Sequence, residues 1–146
     1  MAKKQVLPGP KNHCFGCGKQ NKQSMRLKFT YDESTRQVAS RFRLSRRYSG
    51  PPGYCHGGII ATILDEAMAK LNKPNQVTAV TAQMTVDYLK PVPLNKPLRT
   101  EAHETRTNGR RRFRTAVILN EEGVVLARGR GVFVTIDPHK MLGRSV

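Results

Sequence analysis

His56-Gly57-Gly58-Ile59-Ile60-Ala61-Thr62-Ile63-Leu64-Asp65-Glu66-Ala67-Met68-Ala69-Lys70-Leu71-Asn72-Lys73-Pro74 is the stretch on which the fold turns. From Ile59 to about Asn72 its Ile, Leu, Ala and Met residues predict a long helix, which Lys73-Pro74 stops. On a 3.6-residue wheel, Ile60, Leu64, Ala67 and Leu71 form one stripe, expected to pack on a sheet. Gly58, Ala61, Thr62, Asp65 and Ala69 form a second stripe of mostly small side chains, and Ile59, Ile63, Glu66 and Lys70 form a third.

Outward from this helix the chain reads as strands. Met25, Leu27, Phe29 and Tyr31 alternate with polar residues, and so do Val38, Ser40, Phe42 and Leu44 with Ala39, Arg41 and Arg43. Ser49-Gly50-Pro51-Pro52-Gly53 is a loop. Beyond the helix, Val80, Ala82, Met84, Val86 and Tyr88 alternate with Thr81, Gln83, Thr85 and Asp87, which places Thr81 on the polar face. Leu98–Arg106, Arg111–Leu119 and Val124–Ile136 complete the set, with an Asn108-Gly109 hairpin turn and a second turn at Asn120–Gly123. Two strands, one apolar helix and four strands predict an α+β domain whose largely antiparallel sheet wraps the helix. The 146 residues suit one domain, with a core over about 12–136 and short basic ends at about 1–11 and 138–146.

Asp65 is the awkward residue of the helix. Glu66 can pair with Lys70 one turn on, but position 69 is Ala, so Asp65 lacks that partner. A carboxylate among Gly, Ala and Ile is costly unless hydrated, hydrogen-bonded or useful. It is therefore either a surface acid or a working one, and Glu66 is the rival carboxylate. At the helix start, Gly57 and Gly58 offer backbone N–H groups without helical acceptors, at the positive end of the helix dipole. Such donors suit an anion or an oxyanion. Gly57 and Asp65 are separated by about 12 Å of helix, so a twofold pair of subunits, with the donor from one and the acid from the other, would join them better than one chain.

His56-Gly57-Gly58-x(6)-Asp65-Glu66, followed by the strand Ala79–Tyr88 and Pro91, resembles the hotdog-fold thioesterases, specifically the PaaI-like branch. His13-Cys14-Phe15-Gly16-Cys17-Gly18 is similar to an N-terminal signature of one group in that branch. The resemblance implies a five- or six-stranded antiparallel sheet curled around one long central helix. It also implies homodimers, or dimers of dimers, with active sites between subunits. It assigns Asp65 as base or nucleophile, the Gly57 amide as the group polarising a thioester carbonyl, Thr81 as the residue orienting water, and His56 as a residue shaping the site. Gly58 and Glu66 are added as substrate contacts, and Arg110, Arg111, Arg112 and Arg114 after the hairpin turn, with Arg128 and Arg130 on the last strand, as candidates for the phosphates of coenzyme A. Gly50 stands where some relatives carry an Asn near the leaving group. The implied substrate is an acyl-CoA or acyl-carrier-protein thioester. Because a thioester is already activated, water, one carboxylate and one N–H donor suffice, and no cofactor or metal is expected beyond the coenzyme A of the substrate.

The net charge of +16 predicts attraction to polyanions, yet no helix-turn-helix, zinc-finger or RNA-binding aromatic signature supports a specific nucleic-acid partner. The rival to an enzyme is a non-catalytic acyl-CoA-binding or regulatory hotdog protein. No apolar run approaches a membrane span, the N-terminus shows no signal-peptide pattern, and three cysteines fit a reducing compartment, so a cytoplasmic location is expected. Cys14-x-x-Cys17 would need His13 and Cys55 to complete a four-ligand zinc site, and a packed turn is the simpler expectation.

Overall fold

The structure, a computed structural model, describes residues 4–6 and 12–142. Among the described residues, seven strands form one antiparallel sheet: β1 (Lys4–Val6), β2 (Phe29–Asp32), β3 (Gln37–Phe42), β4 (Ala79–Tyr88), β5 (Leu98–Asn108), β6 (Arg111–Leu119) and β7 (Val125–Thr135). Their spatial order is β1-β2-β3-β5-β6-β7-β4. The long helix α1 (Gly57–Ala69) continues as a 3-10 turn over Lys70–Asn72, and a short helix, α2, covers Pro138–Leu142. The sheet curls around α1, which packs against β3, β4, β5, β6 and β7. This is the expected hotdog arrangement, extended by the three-residue β1.

Both β1 and α2 fall in stretches read from sequence as basic ends; residues 1–3, 7–11 and 143–146 of those ends lie outside the described residues. The first predicted strand begins late, at Phe29. Its intended start is diverted, since Met25 N–H donates to the Phe15 carbonyl and Leu27 N–H to that of Gly16, while Arg26 adopts a φ of 54°.

The core lies between α1 and the concave face of the sheet. Phe29, Val38, Ile63, Leu64, Ala67, Met68, Ile118, Ala127 and Phe133 are fully buried there. Ile63 and Met68 join the expected stripe of Ile60, Leu64, Ala67 and Leu71, because a curled sheet covers more of the helix circumference than a flat one. On β7 the helix comes close. A Cβ on Gly131 would lie 2.9 Å from Phe133 Cε1 and 3.1 Å from Met68 Sδ, and one on Gly129 3.2 Å from Leu64 Cβ. Glycine at these inward positions lets the helix sit near the strand, while the alternating Arg128 and Arg130 point to the outer face.

One irregularity decides where the site residues point. In the β4–β7 ladder Thr81 opposes Phe133, but Gln83 opposes Val132, so Ala82 is an extra residue in a β-bulge. Before the bulge, Ala79 and Thr81 face the helix; after it, Met84, Val86 and Tyr88 do. The simple alternation read from the sequence had put Thr81 with Gln83 and Thr85 on the opposite face. The inserted residue shifts the phase and turns Thr81 inward.

Candidate active site

His56 is the N-cap of α1. Its extended backbone (φ −63°, ψ 137°) leads the chain into the helix, and its Nδ1 accepts a 2.9 Å hydrogen bond from Gly58 N–H. The Gly58 donor is thus already satisfied. The Gly57 N–H carries no hydrogen bond to any described residue and is the open donor at the positive end of the helix. The Gly57 carbonyl, in turn, accepts a 3.0 Å bond from the Tyr88 hydroxyl, which ties the end of β4 to the start of α1. Tyr88 was legible in the sequence only as a strand residue, because its contact depends on the phase set by the bulge.

Two turns along α1, Asp65 is half-buried and its Oδ1 accepts a 2.6 Å hydrogen bond from the Thr81 hydroxyl. The polar partner missing on the helix itself is supplied by β4. Because β4 pairs only with β7 among the described strands, this carboxylate–hydroxyl pair sits beside an open sheet edge. Tyr88 and Leu89, at the far end of that edge, are 54% and 50% exposed.

Glu66 is elsewhere. Its carboxylate faces the N-terminal turn, where it accepts from the Cys14 thiol at 3.4 Å and pairs with Lys70 at 3.5 Å. Adjacent helix positions point about 100° apart, so the two neighbouring acids serve different sides of α1. Burial pushes the thiols of Cys17 and Cys55 up to about 11. The Cys55 thiol donates to the His56 carbonyl at 3.4 Å and is remote from the Cys14 turn in its bonding.

The arginines singled out from sequence divide. Arg112 is committed to Glu104 through two bonds of 2.8 and 2.7 Å. Arg111 is exposed at the start of β6. Arg128 and Arg130 are exposed on the outer face of β7, where Arg130 pairs with Asp87 at 3.2 Å. Arg130 also lines an outer-face groove of about 570 Å³ together with Gln83, Thr85, Arg106 and Thr115. The structure therefore brings Thr81 to Asp65 and His56 to Gly57 and Gly58, and draws Glu66 and Arg112 into other bonds.

Arg114, another of the arginines expected to meet the phosphates of coenzyme A, instead has a fully buried side chain, out of reach of a ligand. Its Nε donates to Glu104 at 3.0 Å, and its Nη1 to the Met68 carbonyl at 2.9 Å and to Asn72 Oδ1 at 2.7 Å. The guanidinium stands 4.7 Å over the Phe133 ring. It closes the C-terminal end of α1, where carbonyls lack helical donors and a positive charge is favoured.

A helix sheathed by an antiparallel sheet, with an acid–hydroxyl pair at the sheet edge and an open amide at the helix start, defines a hotdog protein with its polar groups gathered along β4. The chain belongs to the thioesterase superfamily, whose family model matches residues 52–127, more than half of its length. Among curated proteins it is similar to acyl-coenzyme A thioesterase THEM4 of Rattus norvegicus, 28% identical over 113 residues, which are 77% of this chain and 49% of that protein. The Xenopus laevis THEM4 is 28% identical over 109 residues, or 74% of this chain and 49% of that one. The chain thus spans about half the length of the curated relatives it matches. Among solved structures, the thioesterase superfamily protein RHA08564 superposes with a TM-score of 0.79 at 28% identity, covering 84% of this chain and 60% of that one. The PaaI protein of E. coli shares the fold, with a TM-score of 0.65 at 21% identity over 69% of this chain and 73% of that one.

Proposed function

We propose that this chain is an acyl-CoA thioesterase of PaaI-like type, in which Asp65 activates water or attacks the thioester directly and the Gly57 amide stabilises the developing oxyanion. The observation that carries this reading is the 2.6 Å bond from Thr81 to Asp65. It holds one carboxylate oxygen in place from a separate element and leaves the other for water or substrate. The names of the curated relatives supply the reaction class, and the substrate is a thioester of coenzyme A or of acyl-carrier protein. The free thiols of Cys14, Cys17 and Cys55 fit a cytoplasmic setting.

The acting site is shared between two copies. About 12 Å of helix separates Gly57 from Asp65, too far for both to touch one carbonyl within a single chain. The ten-residue strand β4 offers an open edge with Val80, Tyr88 and Leu89 exposed along it, and such edges are normally covered. Antiparallel pairing of β4 with a second β4 would cover both and bring each Asp65 toward the other copy's helix start.

A panel of acyl-CoAs incubated with the protein and a thiol-reactive chromophore tests the activity. Release of free coenzyme A with turnover is the expected result, whereas tight binding without thiol release replaces the enzyme by a binding protein. Thr81→Val should lower kcat about tenfold, the equivalent of about 1.4 kcal/mol for one charge-assisted hydrogen bond, with KM little changed and activity restored in Thr81→Ser. An unchanged kcat in Thr81→Val would remove Thr81 from the site.

The shared site has its own test. Gly57→Pro deletes the N–H at the first helical position, where proline is well tolerated, and the φ and ψ of His56 already suit a residue before proline. Gly57→Pro and Asp65→Asn should each be inactive alone. Co-folded in equal amounts they should recover roughly a quarter of wild-type turnover, since half of the dimers carry one intact site. No recovery would confine the site to one chain.

A further inference from the structure

We propose that Cys14, Cys17 and Glu66 form a binding site for a zinc-type divalent cation that clips the N-terminal turn to helix α1. One ligand atom from each of the three lies within 4.8 Å of the others. Zn–S and Zn–O bonds of about 2.3 and 2.0 Å place the corners of a tetrahedral site about 3.5 Å apart for sulfur and oxygen and about 3.8 Å apart for two sulfurs. Cys14 Sγ lies 3.4 Å from Glu66 Oε2, so that edge of the tetrahedron already has its length, and a small side-chain rotation brings in the second sulfur.

The surroundings are built for these donors. The turn is closed by Gly18 N–H donating to the Cys14 carbonyl at 2.8 Å and by Cys14 N–H donating to Asn12 Oδ1 at 2.9 Å, which sets both thiols on one side. Gly16 between them is buried directly on Glu66: a Cβ there would come 2.5 Å from Glu66 Oε2. Only a residue without a side chain lets the carboxylate reach the two sulfurs. Cys17 Sγ accepts hydrogen bonds from Lys70 Nζ at 2.9 Å and from Asn12 Nδ2 at 3.5 Å. Two N–H donors on one sulfur can serve the thiolate that a bound cation would create, and such outer contacts orient metal ligands.

Charge is consistent as well. Two thiolates and a carboxylate are neutralised by a divalent cation together with the Lys70 ammonium. Two sulfur donors select zinc over magnesium or calcium. Cys14 and Glu66 are only half-buried, which leaves a path of entry and a fourth corner for water. The set differs from the one that sequence spacing suggested: Cys55 and His13 are not part of it, and the third ligand comes from a helix about fifty residues away.

The tag-free chain, reduced and stripped with a chelator, is titrated with Co²⁺ and then Zn²⁺. One equivalent of Co²⁺ should bind with thiolate-to-cobalt charge-transfer absorption and the intense visible bands of a tetrahedral ion. Zn²⁺ should displace it and raise the unfolding temperature. Cys14→Ser and Cys17→Ser should lose the charge-transfer band, and Glu66→Gln should weaken Co²⁺ binding at least about tenfold. Failure of the wild-type chain to bind a stoichiometric ion overturns the proposal whatever the variants do. So does binding that persists unchanged in Cys17→Ser, or closure of a Cys14–Cys17 disulfide with no ion bound. None of these readouts involves turnover, so the site and the proposed hydrolysis stand or fall separately.

Discussion

Asp65→Asn is expected to lower kcat for acyl-CoA hydrolysis by about 10³-fold, within the range for loss of a positioned base. The substitution is nearly isosteric. Its amide oxygen can still accept the Thr81 hydroxyl that now lies 2.6 Å from Oδ1, so the helix–strand contact and the shape of the site are kept. What disappears is the ability to take a proton from water or to form an acyl bond. Substrate binding should persist, so KM should move far less than kcat. Glu66→Gln is the matched comparison: its carboxylate faces Cys14 and Lys70, on another side of the helix, and its turnover should fall by less than about tenfold. Steady-state kinetics of the two variants beside wild type decide between the acids. Full activity in Asp65→Asn, or a collapse confined to Glu66→Gln, would reverse the assignment.

The largest effect on stability is expected from Arg114. Its guanidinium is out of contact with water, is bonded to Glu104, Met68 and Asn72, and lies over Phe133. Arg114→Ala leaves Glu104 its two bonds from Arg112, but it empties a large buried volume beside Phe133, and such losses typically cost about 2–5 kcal/mol. Arg114→Ala also strips the Met68 carbonyl and Asn72 of their donor. Since whole domains are stable by only about 5–15 kcal/mol, this single change should bring the protein close to unfolding. Arg112, bonded to the same Glu104 but partly exposed, is the contrast. Arg112→Ala leaves Glu104 paired with Arg114 and should cost about 1 kcal/mol. Urea denaturation midpoints measure both. Equal, small shifts would mean that Glu104 and Arg114 are better hydrated than their geometry indicates.

Much of this was readable in the residues. The apolar run from Ile59 fixed a helix, the Asn108-Gly109 turn fixed a hairpin, and the lack of a helical partner marked Asp65 as a side chain that needed one. Burial of Ile63 and Met68 was not readable, because a helical wheel has no knowledge of how far a sheet curls. The late start of β2 was hidden too. Met25 and Leu27 have strand-like alternation, but their backbone amides are taken by the Cys14–Gly18 turn, a non-local choice. The same turn explains why Glu66 looked like a simple partner of Lys70: its contacts with Cys14 and Gly16 span about fifty residues of sequence. The burial of Arg114 was invisible for a further reason. That residue sits in a run of four arginines, and composition cannot tell which member of a basic cluster points inward.

The bulge at Ala82 makes strand length, rather than residue identity, the inherited quantity along β4. Substitutions there alter one contact each. Losing or gaining a residue between Ala79 and Met84 instead exchanges the inward and outward sets wholesale, swinging either the Thr81 hydroxyl or the Met84–Tyr88 face away from the helix. Descendants of this chain can therefore vary the chemistry of the strand step by step, while any change in its count has to arrive with a compensating one.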